Sequence, residues 1–155
     1  MNTKKIFTLI LLLILIIFLS FYIAKSAALL TKNDANKIGH VEILNTLIKV
    51  NLATTKSEQE QGLSERKSIN DDEGMLFIFQ KPSVNYFWMK DMKFPIDIIW
   101  IGDNSEIIYI KKNVNPDTYP TTFGPNEESR YVLEVNAGFS EKNNWIEKNS
   151  VIFLP

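Results

Sequence analysis

Residues Ile6 to Ala24 (IFTLILLLILIIFLSFYIA) form an uncharged apolar run whose only polar interruptions are Thr8, Ser20 and Tyr22. As an α-helix these 19 residues extend about 28 Å, close to the ~30 Å hydrocarbon core of a bilayer. A helix apolar on every side does not suit the surface of a small domain. Residues 1–5 are a short basic tail with Lys4 and Lys5, and Ser26-Ala27-Ala28 offers small residues that a signal peptidase accepts. The run exceeds the ~7–15 residues of an ordinary signal-peptide core, which favours an uncleaved anchor over a removed signal. Without cysteine, a lipoprotein anchor is excluded. Lys25 and Lys32 beyond the run nearly balance the basic tail, so the charge bias is slight, and a retained amino terminus with a translocated domain is the simpler topology. The expectation is a single-pass membrane protein with its C-terminal domain extracytoplasmic, or a secreted or periplasmic product if the segment is cleaved.

The formal net charge of −1 hides a split. Four of the 17 basic residues and none of the 18 acidic ones lie at or before Lys32, which leaves residues 33–155 with 13 basic and 18 acidic groups. A net charge of −5 is poorly suited to a polyphosphate backbone, so nucleic acid is not an expected partner. The absence of cysteine also removes disulfides, thiol nucleophiles and Cys-ligated metals. The domain must be held by its own core.

Residues 25–40 read as a linker and residues 41–155 as the domain. Ile48, Val50 and Leu52 alternate with Lys49, Asn51 and Ala53, the period of a half-buried strand. Thr55-Lys56-Ser57-Glu58 is a capping box that opens a short helix, with Gly62 as its left-handed stop. Met75 to Phe79 is apolar on both faces and predicts a central strand. A turn at Lys81-Pro82-Ser83 precedes an aromatic strand over Val84 to Met89. Ile96 to Ile101 is a second buried strand, and Gly102 to Ser105 turns it into a hairpin with Glu106 to Ile110. Asn113 to Ser129, with three prolines and no periodicity, reads as a long loop of the kind that is usually functional or mobile. Tyr131 to Val135 and Val151 to Leu154 complete the strands, with a helical turn over Phe139 to Asn144. The fold class is therefore α+β, mainly β: a barrel-like or rolled antiparallel or mixed sheet of about seven strands with one or two short helices, preceded by the N-terminal hydrophobic helix.

The segments GLSERKSI (Gly62 to Ile69), EGMLFIF (Glu73 to Phe79), FWMKDMKFPIDIIWI (Phe87 to Ile101) and VLEVNAGF (Val132 to Phe139) stand in an order and spacing that resemble the uncharacterised DUF192 family, also called UPF0127. The resemblance covers Val41 to Leu154. It implies a compact β-rich α+β domain, often behind an N-terminal signal or anchor, and implies no defined activity. Asp91-Met92 departs from the asparagine-threonine common in the family, so no role carries over to those positions.

Five side chains stand out as candidate ligand-binding residues: Arg66, Trp88, Lys90, Asp97 and Glu134. Asp97 lies on a strand apolar on both faces, so its carboxylate needs hydrogen bonds or a cation, with Lys90, Lys93 and Arg66 available. It either locks local backbone or faces a ligand. Lys90 shares a side with Tyr86 and Trp88 and is either a plain surface residue or part of a polar pocket in an aromatic wall. The Arg66 fork suits a structural clamp on a carboxylate. Alternation leaves Glu134 exposed, whereas its place in the family motif points to a pocket. Gly62, Gly74 and Gly138 read as positive-φ backbone devices. Asp71-Asp72-Glu73 is an acidic surface turn without EF-hand spacing, and His40, the sole histidine, stands at the linker edge. No metal site and no cofactor are expected.

Two functions follow. One is a non-catalytic binding or accessory module at the membrane's outer face, meeting an envelope glycan or envelope protein, with the Asn113 to Ser129 loop closing over a cleft lined by Trp88, Lys90 and Asp97. The other is a carboxylate-dependent glycan hydrolase using Asp97 and Glu134, which requires the two carboxyl groups to flank one groove.

Overall fold

The structure is a computed structural model and describes residues 12–25 and 38–154. Residues 12–25 form helix α1, about 21 Å long at the α-helical rise. Among the described residues no helix is long and apolar enough to cross a membrane. Ile6 to Leu11, the first part of the apolar run, and most of the linker lie outside the described residues.

Residues 38–154 carry strands β1 (Ile38–Ile43), β2 (Thr46–Ala53), β3 (Glu73–Ser83), β4 (Phe87–Trp88), β5 (Ile96–Ile101), β6 (Ile107–Val114), β7 (Thr122–Phe123), β8 (Ser129–Asn136) and β9 (Val151–Leu154). Between them stand helices α2 (Lys56–Gln61) and α3 (Phe139–Lys142) and a 3-10 turn over Pro116–Thr118. Seven strands form one curled, half-barrel sheet in the order β6-β5-β8-β3-β2-β1-β9, while β4 and β7 pair separately. The chain is thus mainly β, as its alternating and doubly apolar segments predict. β2 and β3 are parallel and joined through α2, and the other pairings are antiparallel.

The strands read as doubly apolar occupy the interior. β3 is the middle strand of the seven, and β5 is buried at all six positions. Each face of the sheet carries its own core. On one face Val41, Ile43, Ile48, Val50, Leu76, Ile99, Ile101, Leu133, Val135 and Trp145 pack together. On the other, Ala53, Leu63, Phe77, Met89, Ile96, Ile98, Trp100 and Val132 do so. A strand between two cores has no solvated face, so its polar residues are buried whichever way they point.

Several boundaries differ from the sequence reading. β1 starts at Ile38, inside the segment read as linker, and pairs His40 with Lys49 and Leu154. β3 runs through Lys81-Pro82-Ser83 instead of turning there, with its ladder to β8 breaking register between Ile78 and Ser83. Such a bulge accommodates a proline that cannot donate to the ladder. Of Val84 to Met89 only Phe87 and Trp88 are strand. The proline-rich run from Asn113 is not a free loop, because β7 within it pairs with β4.

α2 forms because its ends are satisfied locally. Thr55 Oγ1 accepts from the Glu58 N–H at 3.3 Å, and Glu58 Oε2 accepts from the Thr54 and Thr55 N–H groups at 3.0 Å. The helix buries no residue, so no apolar stripe holds it. Gln59 ties it down, its Nε2 donating to Ala53 O at the end of β2 (3.3 Å) and to Ile78 O where the β3–β8 register breaks (2.9 Å). Gly62 ends it at φ 52°, ψ −136°. This is a positive-φ stop, as expected, but outside the left-handed helical region.

Candidate functional site

α2 and the turn that follows it stand over the second core and leave a cavity of about 440 Å³ between themselves and the aromatic segment around β4. Phe77 of β3 and Glu134 of β8 lie at its inner side, Leu63 and Met92 add apolar surface, and Tyr86, Phe87 and Trp88 line the opposite wall. Phe87 turns inward, edge-on to Phe77 (4.8 Å between centroids) and to Trp100 (5.9 Å), which fixes the wall to the sheet. Trp88 turns outward, 53% exposed, and meets Tyr119 edge-on at 6.1 Å. The wall's other end is held by Asn85, whose Nδ2 donates to Ser83 O and Ser129 O and whose carbonyl accepts from Trp100 Nε1 at 2.8 Å.

Glu134 is the unusual member of this lining. It is 5% exposed, and its Oε2 is buried with no hydrogen-bond partner. Among the described residues the other such atoms are Arg130 Nε and Trp145 Nε1, neither of which belongs to a residue lining the cavity. Burial pushes the carboxyl up to about 8, against the opposing pull of the Arg66 charge. The group is therefore predominantly protonated at neutral pH and can donate a hydrogen bond. Alternation predicts exposure here only if one face of β8 meets water. β8 instead lies between β5 and β3, and the turn after α2 covers its second face.

Two glycines shape this inner side. A Cβ on Gly62 would stand 3.3 Å from Phe77 Cζ and 3.9 Å from Glu134 Oε2, at a φ that already disfavours a side chain. Gly74 does not have positive φ, contrary to the sequence reading. A Cβ there would come within 2.6 Å of the Glu134 carbonyl oxygen, so glycine permits the close approach of β3 to β8.

Two basic side chains stand at or near the mouth. Lys90 lines the mouth, and Arg66 sits in the turn after α2, its charge felt by Glu134. The two turns that carry them are joined, Ser64 Oγ donating to Lys90 O at 2.8 Å and Glu65 N–H to Asp91 O at 3.0 Å. Both side chains are exposed, and neither makes an ion pair among the described residues. Among the described residues Arg66 thus clamps no carboxylate. Lys56, also at the cavity, is offset by Glu60 at 3.7 Å.

Asp97 is elsewhere. It is fully buried and accepts from the Asn113 N–H (2.8 Å), the Gly138 N–H (3.1 Å), the Ser140 N–H (3.0 Å) and Ser140 Oγ (2.6 Å). It needs no cation: the carboxylate caps the start of α3, whose own N-cap residue supplies no side-chain bond, and fastens it to the end of β6. The cleft expected from Trp88, Lys90 and Asp97 therefore forms without Asp97. The Asn113 to Ser129 segment braces the back of β4 and contributes no lining residue. The register places Ile98 opposite Glu134 and Asp97 opposite Val135, so the two carboxyl groups point to opposite faces of the sheet. They cannot flank one glycosidic bond, and the hydrolase reading built on that pair fails.

Of the sequence candidates, the cavity gathers Trp88, Lys90 and Glu134, with Arg66 close by. Sequence reasoning placed Tyr86 in the aromatic wall and missed Gln59, Phe87 and Met92. The capping box could have pointed to Gln59, since it fixes which helical residues face the sheet.

A curled mixed sheet crossed by one short helix, with a buried acid beneath an aromatic wall, defines a small α+β domain with a ligand-sized hollow. Residues 39–152 match the model of DUF192, described as an uncharacterized ACR. The chain belongs to this family. No curated protein matches it. Two solved structures are similar. One is a Sinorhizobium meliloti protein described as a candidate transcription regulator, 28% identical with a TM-score of 0.71, the match covering 75% of this chain and 93% of that one. The other is a protein of unknown function from Novosphingobium aromaticivorans, 29% identical with a TM-score of 0.70, covering 74% and 84%.

Proposed function

We propose that the domain is a non-catalytic binding module for an envelope saccharide, held at the outer face of a membrane by residues 6–24. The observation that carries the binding reading is Glu134, a buried carboxyl with an unpartnered oxygen in the wall of an open cavity. An unsatisfied buried polar atom costs about 1–3 kcal/mol, which a ligand group can recover. The half-exposed rings of Tyr86 and Trp88 suit a pyranose, whose C–H face is apolar and whose hydroxyl edge is polar. The apolar run from Ile6 to Ala24 supports the tether. The regulator description attached to the Sinorhizobium relative does not carry over, because residues 33–155 bear net negative charge.

Trp100 and Trp145 are buried while Trp88 stands at the cavity, so saccharide binding should change the emission of Trp88 alone. Solubilised envelope oligosaccharides are expected to shift fluorescence in the full-length chain and not in Trp88→Ala. Equal shifts in both proteins, or none in either, would refute the saccharide site. Separately, full-length protein recovered in the soluble fraction of lysed cells would refute the tether.

A further inference from the structure

We infer that the saccharide is acidic, and that its carboxylate enters the cavity between the Lys90–Arg66 rim and the Glu134 carboxyl. This rests on the saccharide reading above and specifies the chemistry of its ligand. Residues 33–155 have an acid excess, yet two basic side chains that make no ion pair among the described residues stand at or near the cavity, Lys90 in its lining and Arg66 in the turn after α2, where its charge reaches Glu134. The charged groups facing Glu134 are few. α2 brings Lys56 and Glu60, which offset each other at 3.7 Å, the turn after it brings Arg66 with the exposed Glu65 beside it, and the segment after β4 brings Lys90 with the exposed Asp91 beside it. From the sheet, β3 sets Met75 and β5 sets Ile98 directly beside Glu134, neither of them charged. Arg66 and Lys90, neither in an ion pair among the described residues, ride on turns fastened together by the Ser64–Lys90 and Glu65–Asp91 hydrogen bonds, so one joined edge carries both. Inside that rim, the unpartnered Glu134 Oε2 lies where an incoming oxygen needs a donor.

A carboxylate answers both features. Its charge is drawn by Lys90 and Arg66, and one of its oxygens accepts the proton that Glu134 holds at neutral pH, a charge-assisted O–H···O⁻ bond stronger than a neutral one. No covalent bond changes and the proton stays on the pair. A cationic sugar would meet two repelling charges before reaching the acid, and a neutral sugar would leave the rim unused.

The test is calorimetric titration of the full-length chain, in a detergent without a sugar headgroup, with monomers and trimers of glucuronate, glucose and glucosamine. Glucuronate should bind at least tenfold more tightly than glucose, with glucosamine weakest. Its affinity should fall about tenfold between pH 7 and pH 9 as Glu134 loses its proton. Glu134→Gln, whose amide still donates, should bind glucuronate without that pH dependence, while Lys90→Ala and Arg66→Ala should weaken glucuronate severalfold more than they weaken glucose. If glucose or glucosamine binds as well as glucuronate, the acidic specificity is wrong and the saccharide site stands. If no sugar of the series binds, the saccharide reading falls and this inference with it. Glucuronate affinity indifferent to pH in the wild type would refute the Glu134 contact.

Discussion

Replacing Glu134 by glutamine should remove one identifiable component from the pH dependence of the fold's stability. In the unfolded chain the carboxyl ionises near 4.5, whereas in the fold burial keeps it protonated to about 8. Between those values the native state binds more protons than the unfolded state, so stability falls as pH rises through this window and levels off above it. A tenfold change in proton affinity corresponds to about 1.36 kcal/mol, so Glu134 should cost the fold about 2–3 kcal/mol more at pH 7 than at pH 5, and on the order of 4 kcal/mol more above pH 9 than at pH 5. The direction is opposite to that of an ion-paired carboxylate, whose contribution disappears on acidification. Glutamine has nearly the same shape and no charge. Its amide brings its own hydrogen-bonding cost, which is constant with pH. Urea unfolding followed by the emission of the buried Trp100 and Trp145 gives stability at each pH. The difference between Glu134→Gln and wild type cancels the titration of the other carboxylates. That difference should move in favour of glutamine by ~2–3 kcal/mol between pH 5 and pH 7. A difference that stays constant over this range would refute the claim that Glu134 is buried as a neutral acid.

Asp97→Ala leaves three backbone N–H groups and the Ser140 hydroxyl without their acceptor, and should lower stability by ~3–5 kcal/mol in thermal or urea melts. A loss below about 1 kcal/mol would show that the cap is dispensable. Gly62→Ala forces a side chain onto φ 52° and toward Phe77 and Glu134, and should cost ~1–3 kcal/mol while reducing sugar-dependent stabilisation in the same melts. Thr55→Ala removes the N-cap acceptor of α2, and a loss of about 1 kcal/mol is expected by chemical denaturation.

Much of the fold was legible because its strands announce themselves by composition. Ile96 to Ile101 is apolar on both faces and proves to be buried throughout, and the Thr55–Glu58 box marks the one helix that roofs the cavity. Where the reading failed, the missing information was tertiary. β7 is two residues long inside a proline-rich run, too short to show a period, and exists because β4 pairs with it. Glu134 looks exposed to any rule of alternation, since nothing in VLEV reveals that a turn far earlier in the chain covers it. The burial of Asp97 was apparent from its neighbours, but the partners that satisfy it come from Asn113, Gly138 and Ser140.

Asp97 and Glu134 sit on neighbouring strands yet serve separate compartments, because the sheet works as a septum. Residues that shape the hollow can be rewritten on one side of it while the fastening of α3 on the other is left alone. A library confined to Gln59, Tyr86, Trp88 and Lys90 would therefore vary recognition on a scaffold whose structural acid it never touches.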